Sequence, residues 1–158
     1  MHRTQIVLNQ QTLKEIHSHA TSTYPEECCG LMTGRIEGES KTVSGLWRMK
    51  NAFEPSERYH RYTIDPMEYM YAENEIESKG DEIVGIYHSH PNAPAKPSLF
   101  DQDHAWPTLS YVVVEVRDAK PMNIASWVLK EDRSEFLQEE MRIVAVNSSN
   151  DSVERISE

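Results

Sequence analysis

The sequence predicts one domain of mixed α/β or α+β class, a sheet of about eight strands flanked by three helices. Three observations lead there. The apolar residues recur with a period of two in some segments and near 3.6 in others. The two kinds of segment are interleaved without strict βαβ alternation. The chain has 158 residues, with no internal repeat and no linker rich in Gly, Ser or Pro, which is the size of one ordinary domain with a full core.

Residues 5–8 (QIVL) read as a strand, and Asn9 as the N-cap of a helix over 10–23 on which Leu13, Ile16 and Ala20 share a face. Pro25 ends it. CCGLMTGRI (28–36) and KTVSGLW (41–47) read as strands joined in a hairpin by a Gly- and acid-rich turn at 37–39. Residues 48–58 are polar and carry Pro55, a loop, and YHRYTI (59–64) reads as a strand. Asp65, Pro66 and Glu68 supply an N-cap, a first-turn proline and a first-turn acid for a helix ending near Gly80. EIVGIYHSH (82–90) is an apolar, buried strand. After a proline-punctuated loop, Ser98 caps a short helix that stops at Pro107. SYVVVEV (110–116), IASWVL (124–129) and MRIVAV (141–146) complete the strands. The domain is expected over 1–146, with 147–158 a disordered tail.

Sixteen basic against 26 acidic residues give a formal net charge of −10, which opposes a nucleic-acid partner, and no basic patch offsets it. The acids gather in 68–82, 131–140 and the tail, where they read as solvated faces. No apolar stretch approaches a membrane span and the N-terminus lacks a signal-like apolar core, so a cytoplasmic protein without membrane contact is expected. Cys28 and Cys29 are the only cysteines. Their adjacency is unfavourable for a mutual disulfide. A thiol nucleophile is conceivable there, but an apolar strand favours core packing.

Chemistry concentrates between residues 88 and 101. On a strand, His88 and His90 point to one face and Ser89 to the other. Two such histidines are either satisfied polar residues or ligands of one ion. The run Ser98-Leu99-Phe100-Asp101 is a capping box by spacing. It also begins a helix just after a short loop, which can bring Asp101 back over the strand end. Two imidazoles and a carboxylate match a catalytic zinc site with its fourth position open to water. Such a site needs a general base, and the residues alone do not select one among the many acids. His104 one turn beyond Asp101, Asp103, His2, His17, His19 and His60 show no trusted ligand spacing. Trp47, Trp106 and Trp127 read as core or rim aromatics.

The string His88-Ser89-His90-Pro91, six residues, then Ser98-Leu99-Phe100-Asp101 resembles the signature of the JAMM (MPN-plus) metalloproteases. Pro25-Glu26-Glu27-Cys28-Cys29-Gly30-Leu31 resembles the family's upstream glutamate segment, with Glu27 in register. Further likeness at Ile64-Asp65-Pro66, EIVGIYHSHP and SYVVVEV extends it over roughly residues 3 to 145. The resemblance implies a cytidine-deaminase-like fold and one Zn2+ per chain held by His88, His90 and Asp101. It also implies Glu27 as general acid/base toward zinc-bound water, and Ser98 as hydrogen-bond donor to the oxyanion.

Only Ala105 to Leu109 separate the site helix from the next strand, too little for the insertions of the eukaryotic deubiquitinases, and no second-metal cluster is evident. The chain looks most like the compact prokaryotic Mec-type branch. That likeness implies cleavage of an amide bond after the C-terminal Gly-Gly of a ubiquitin-like or sulfur-carrier protein, with cysteine, a lysine side chain or a peptide as the leaving group. The carrier and the oligomeric state are not specified by the sequence. The rival readings are a non-catalytic MPN-type binding scaffold, against which the complete signature speaks, and a zinc deaminase, whose P-C-x-x-C element is missing.

Overall fold

A computed structural model describes residues 4–145. The expected tail at 147–158 and His2 lie outside them. Seven strands, three α-helices and one 3-10 turn follow in the order β1 (Gln5–Asn9), α1 (Gln10–Thr23), β2 (Cys29–Glu37), β3 (Ser40–Met49), the turn Pro55–Glu57, α2 (Pro66–Ser78), β4 (Glu82–Pro91), α3 (Leu99–Asp103), β5 (Ser110–Arg117), β6 (Lys120–Leu129) and β7 (Phe136–Val144).

The strands are mixed in direction and run β1-β3-β2-β4-β5-β6-β7, with β7 pairing back onto β1 so that the sheet closes. The parallel pairs are β1–β3, β1–β7 and β4–β5. The α/β expectation therefore holds, with seven strands in place of about eight.

The missing strand is YHRYTI. Residues 58–60 are a turn and 61–65 have no regular secondary structure and no sheet partner. A single backbone bond, Ala52 N–H to the Thr63 carbonyl at 2.9 Å, ties this segment to its neighbour. Its β-branched and aromatic residues have strand propensity but no ladder to join. The last strand also begins earlier than hydropathy suggests, because Glu139 is buried while Leu137 and Ile143 are exposed. Glu139 accepts hydrogen bonds from Ser126 and Thr4, and those partners offset the burial of its carboxylate.

The caps behave as the sequence directs. Asn9 accepts from the Thr12 N–H, Asp65 from the Met67 and Glu68 N–H groups, and Ser98 forms a reciprocal capping box with Asp101. α1 packs with Ile16 and Ala20 in a core that includes Ile6, Leu8, Met32, Val84, Tyr87, Val112 and Val114. α2 packs Ala72 and Ile76 into a second core with Leu31, Ile86, Tyr111 and Leu129. Alternation assigns side chains to these two layers. Cys28 and Tyr87 belong to the α1 layer, Cys29 and Ile86 to the α2 layer. By the same alternation Glu27, His88 and His90 face the α2 side, and Ser89 faces the α1 side.

Candidate active site

The end of β4 and the start of α3 bring three donor atoms together. His88 Nε2 and His90 Nε2 lie 3.2 Å apart, and Asp101 Oδ2 lies 3.2 Å from the first and 3.1 Å from the second. Tetrahedral ligands at zinc-type bond lengths are separated by about 3.3 Å. The three atoms thus have the spacing of ligands around one ion. All three side chains are buried. Glu27, entering β2 beside β4, completes the group: its carboxylate and the two histidines offer donor atoms within 4.8 Å of one another.

Each donor is oriented by identifiable contacts. His90 Nδ1 meets the Pro94 carbonyl at 2.9 Å. A proton on Nδ1 donated to that oxygen leaves the Nε2 lone pair free for an ion. The proline loop that supplies this carbonyl is pinned by Trp127, whose Nε1–H donates to the Ala95 carbonyl at 3.1 Å. His88 stacks on Tyr62 with ring centroids 4.6 Å apart. Asp101 Oδ2 also accepts the Ser98 backbone N–H at 2.9 Å. The C-terminal end of α3 is held by Arg133, which donates to the carbonyls of Ala105, Gln102 and Asp103.

The electrostatics divide the two acids. Burial alone would raise Asp101, but the facing His88 and His90 and the Ser98 N–H outweigh it and hold this carboxylate well below its ordinary range. Burial pushes the Glu27 carboxyl up to about 8, opposed by the charge of His90 and assisted by that of Asp101. Glu27 Oε1 has no hydrogen-bond partner and is buried. The two neighbouring carboxyls are thus driven in opposite directions, Asp101 down and Glu27 up.

Glu27 is held through its backbone. Its N–H donates to the Arg58 carbonyl at 2.8 Å, and its carbonyl accepts from Asn51 Nδ2 at 3.0 Å. The next residue, Cys28, donates its N–H to Ser89 Oγ at 2.8 Å, while the Ser89 N–H donates to the Cys28 carbonyl. Asn51 and Ser89 were not singled out by the sequence. Their partners are backbone groups of remote segments, which leave no spacing signal, although Ser89 lies between the two histidines.

The structure thus brings Glu27, His88, His90, Ser98 and Asp101 into one site. Three other histidines lie elsewhere. His104 Nδ1 meets the Phe100 carbonyl at the end of α3, His19 is buried against Tyr87, and His60 pairs with Glu57 at the surface. Both cysteines are free and buried. Burial raises the Cys28 thiol to about 11 and Cys29 further, the opposite of an activated nucleophile.

The comparisons agree with this geometry. A family described as prokaryotic homologs of the JAB domain matches residues 9–130. A desampylase from Haloferax volcanii is 35% identical over 103 residues, covering 64% of this chain and 70% of that protein. A probable TtuB-protein conjugate cleaving protease from Thermus thermophilus is 34% identical over 101 residues, or 64% of each chain. Tail tip assembly protein K of Escherichia phage N15 is 31% identical over 121 residues, 76% of this chain but only 40% of the phage protein. Among solved structures, protein DSY2949 from Desulfitobacterium hafniense superposes with a TM-score of 0.77 at 30% identity, covering 89% of this chain and 93% of that one. With the closed mixed sheet and the buried histidine and carboxylate donors, these likenesses show that the chain belongs to the prokaryotic homologs of the JAB domain, within the JAMM/MPN superfamily.

Proposed function

We propose that the protein is a zinc-dependent isopeptidase or peptidase that cleaves the amide bond after the C-terminal Gly-Gly of a ubiquitin-like or sulfur-carrier protein. The observation that carries this reading is the convergence of His88 Nε2, His90 Nε2 and Asp101 Oδ2 to within 3.2 Å, beside a buried carboxyl with an unpartnered oxygen. His88, His90 and Asp101 would hold the ion. Two imidazoles and one carboxylate suit zinc and keep a coordination position open. When bound there, zinc supplies Lewis acidity and lowers the pKa of water.

Glu27 takes the proton from the attacking water and returns it to the leaving amine, a role suited to a carboxyl raised by burial. Ser98 Oγ already accepts the Asp101 N–H at 3.0 Å. Its own hydroxyl proton is therefore free to donate to the oxyanion, so capping and transition-state stabilisation use different sides of one oxygen. His90 and Asp101 keep their orientation through the Pro94 carbonyl and the Ser98 N–H. Two relatives whose names describe conjugate cleavage or desampylation support the substrate class. Two reduced, buried cysteines agree with a cytoplasmic setting, and among the described residues no helix is long and apolar enough to cross a membrane. The intact donor set argues against a purely non-catalytic scaffold.

The test is a panel of Gly-Gly-tailed carriers conjugated to cysteine, lysine or a peptide, incubated with the protein with and without chelator, the released group identified by mass. Chelator-sensitive release supports the reading. Release that persists after complete zinc removal, or from a His88→Ala variant, overturns it.

A further inference from the structure

The two histidines of the site are held in different ways. His90 is fixed by a hydrogen bond, its Nδ1 meeting the Pro94 carbonyl at 2.9 Å. His88 has no such bond: its Nδ1 is buried without a hydrogen-bond partner among the described residues. With Nε2 directed at an ion, the proton of the neutral ring sits on Nδ1. Nothing polar then resists rotation of that ring about its Cβ–Cγ bond. Ligand histidines ordinarily avoid this by donating the second N–H to a carboxylate, a carbonyl or water.

Packing takes the place of that bond. The neighbours of His88 across the sheet are Cys29 on β2 and Val113 on β5, both buried, and neither is a strong hydrogen-bond acceptor. The face of the imidazole is covered by Tyr62, whose ring lies 4.6 Å away between centroids and 27° from parallel. Tyr62 is itself clamped on both sides. The Arg61 carbonyl accepts from Asn51 Nδ2 at 3.0 Å, and the Thr63 carbonyl accepts the Ala52 N–H at 2.9 Å. Its side chain packs against the second core, which holds Cys29 and Tyr111.

We propose that Tyr62 is a positioning residue of the ion site, its ring face locking the His88 imidazole in the orientation that a hydrogen bond secures for His90. The proposal rests on the metal-ion part of the isopeptidase reading and deepens it. It gives a task to residues 59–64, whose strand-like composition joins no ladder: they present one ring to one ligand. The contact is made by the ring and not by the hydroxyl, so phenylalanine serves at this position. Leucine fills part of the volume but has no flat face to match the imidazole. Freed to rotate, His88 Nε2 is less often at 3.2 Å from His90 Nε2 and Asp101 Oδ2, and affinity for zinc falls.

The test uses the full-length chain, with zinc affinity read by competition against a chromogenic chelator. Tyr62→Leu should bind zinc about tenfold more weakly, the scale of losing an orienting contact behind a ligand, and Tyr62→Phe should keep the wild-type affinity. Tyr69→Leu is the packing control, because Tyr69 packs against the same core without a ring contact to His88. It should lower the urea midpoint and leave zinc affinity unchanged. A second measurement needs no variant. In zinc-loaded wild type with isotope-labelled histidine, the Tyr62 ring should shift the His88 ring protons upfield. The His88 Nδ1–H should also resonate upfield of the His90 Nδ1–H, which donates to a carbonyl. The proposal is overturned by wild-type zinc affinity in Tyr62→Leu, by equal losses in Tyr62→Leu and either Tyr62→Phe or Tyr69→Leu, or by His88 ring protons without the upfield shift. Affinity that depends on Tyr62 without conjugate hydrolysis would sink the enzyme reading and leave the positioning role standing. Conjugate hydrolysis with affinity indifferent to Tyr62→Leu would do the reverse.

Discussion

Asn51 joins three segments at the site and offers a sharp test of how Glu27 is positioned. Its Nδ2 donates to the carbonyls of Glu27 and Arg61, both at 3.0 Å, and its Oδ1 accepts the Phe53 N–H at 3.0 Å and the Thr63 N–H at 3.4 Å. Asn51→Ala removes three well-formed bonds to partly buried backbone and one weak one. At about 1 kcal/mol per bond, the loss of stability should be roughly 2–3 kcal/mol, read as a lower urea midpoint at fixed zinc concentration. The Glu27 carbonyl is released, and so are the Arg61 carbonyl and the Thr63 N–H. Turnover should fall about tenfold, since a misplaced catalytic group raises the transition-state barrier. A stability change below about 0.5 kcal/mol together with unchanged turnover would refute the positioning argument.

Two further outcomes follow from buried groups that take no part in the proposed chemistry. His19 Nδ1 bonds Tyr87 Oη at 2.7 Å, and burial, with a smaller contribution from Arg48, lowers its pKa from 6.5 to about 4. Its folded pKa lies below the unfolded one, so its contribution is present above pH 6.5 and fades as pH falls toward 4. Unfolding by urea should show a loss of about 1 kcal/mol between about pH 7.5 and 5.5 after allowance for solvent screening. His19→Gln should lack that part of the slope, and an equal slope in the variant would contradict the assignment. The raised, buried thiols of Cys28 and Cys29 should resist iodoacetamide in the native protein with activity retained. Rapid alkylation with loss of turnover would return the thiol to the mechanism.

Much of the site was legible because it follows local rules. Strand alternation puts His88 and His90 on one face and a capping box after a short proline loop can return Asp101 over the strand end, while the ligand set was implied by the family resemblance. Glu27 carries no such local signal and was reached through its resemblance to a family segment. Asn51 and Ser89 stayed hidden because they bond to backbone, which any residue sequence presents. The fold errors share a cause. Residues 59–64 have strand composition but no partner, and residues 136–140 have a partner but an inverted pattern, with Glu139 inside and Leu137 outside. Hydropathy reports what a segment prefers, whereas a closed sheet with polar pairs in its interior is decided by contacts distant in sequence.

The central claim divides two acids that both lie beside the histidines: Asp101 holds the ion and Glu27 carries the proton. The metal content of Glu27→Gln and Asp101→Asn, purified side by side with zinc and measured alongside hydrolysis of a Gly-Gly conjugate, tests it most directly. The account predicts that Glu27→Gln retains one zinc per chain and loses turnover, while Asp101→Asn loses the zinc itself. Zinc lost from Glu27→Gln and kept by Asp101→Asn would exchange the two roles and contradict the account.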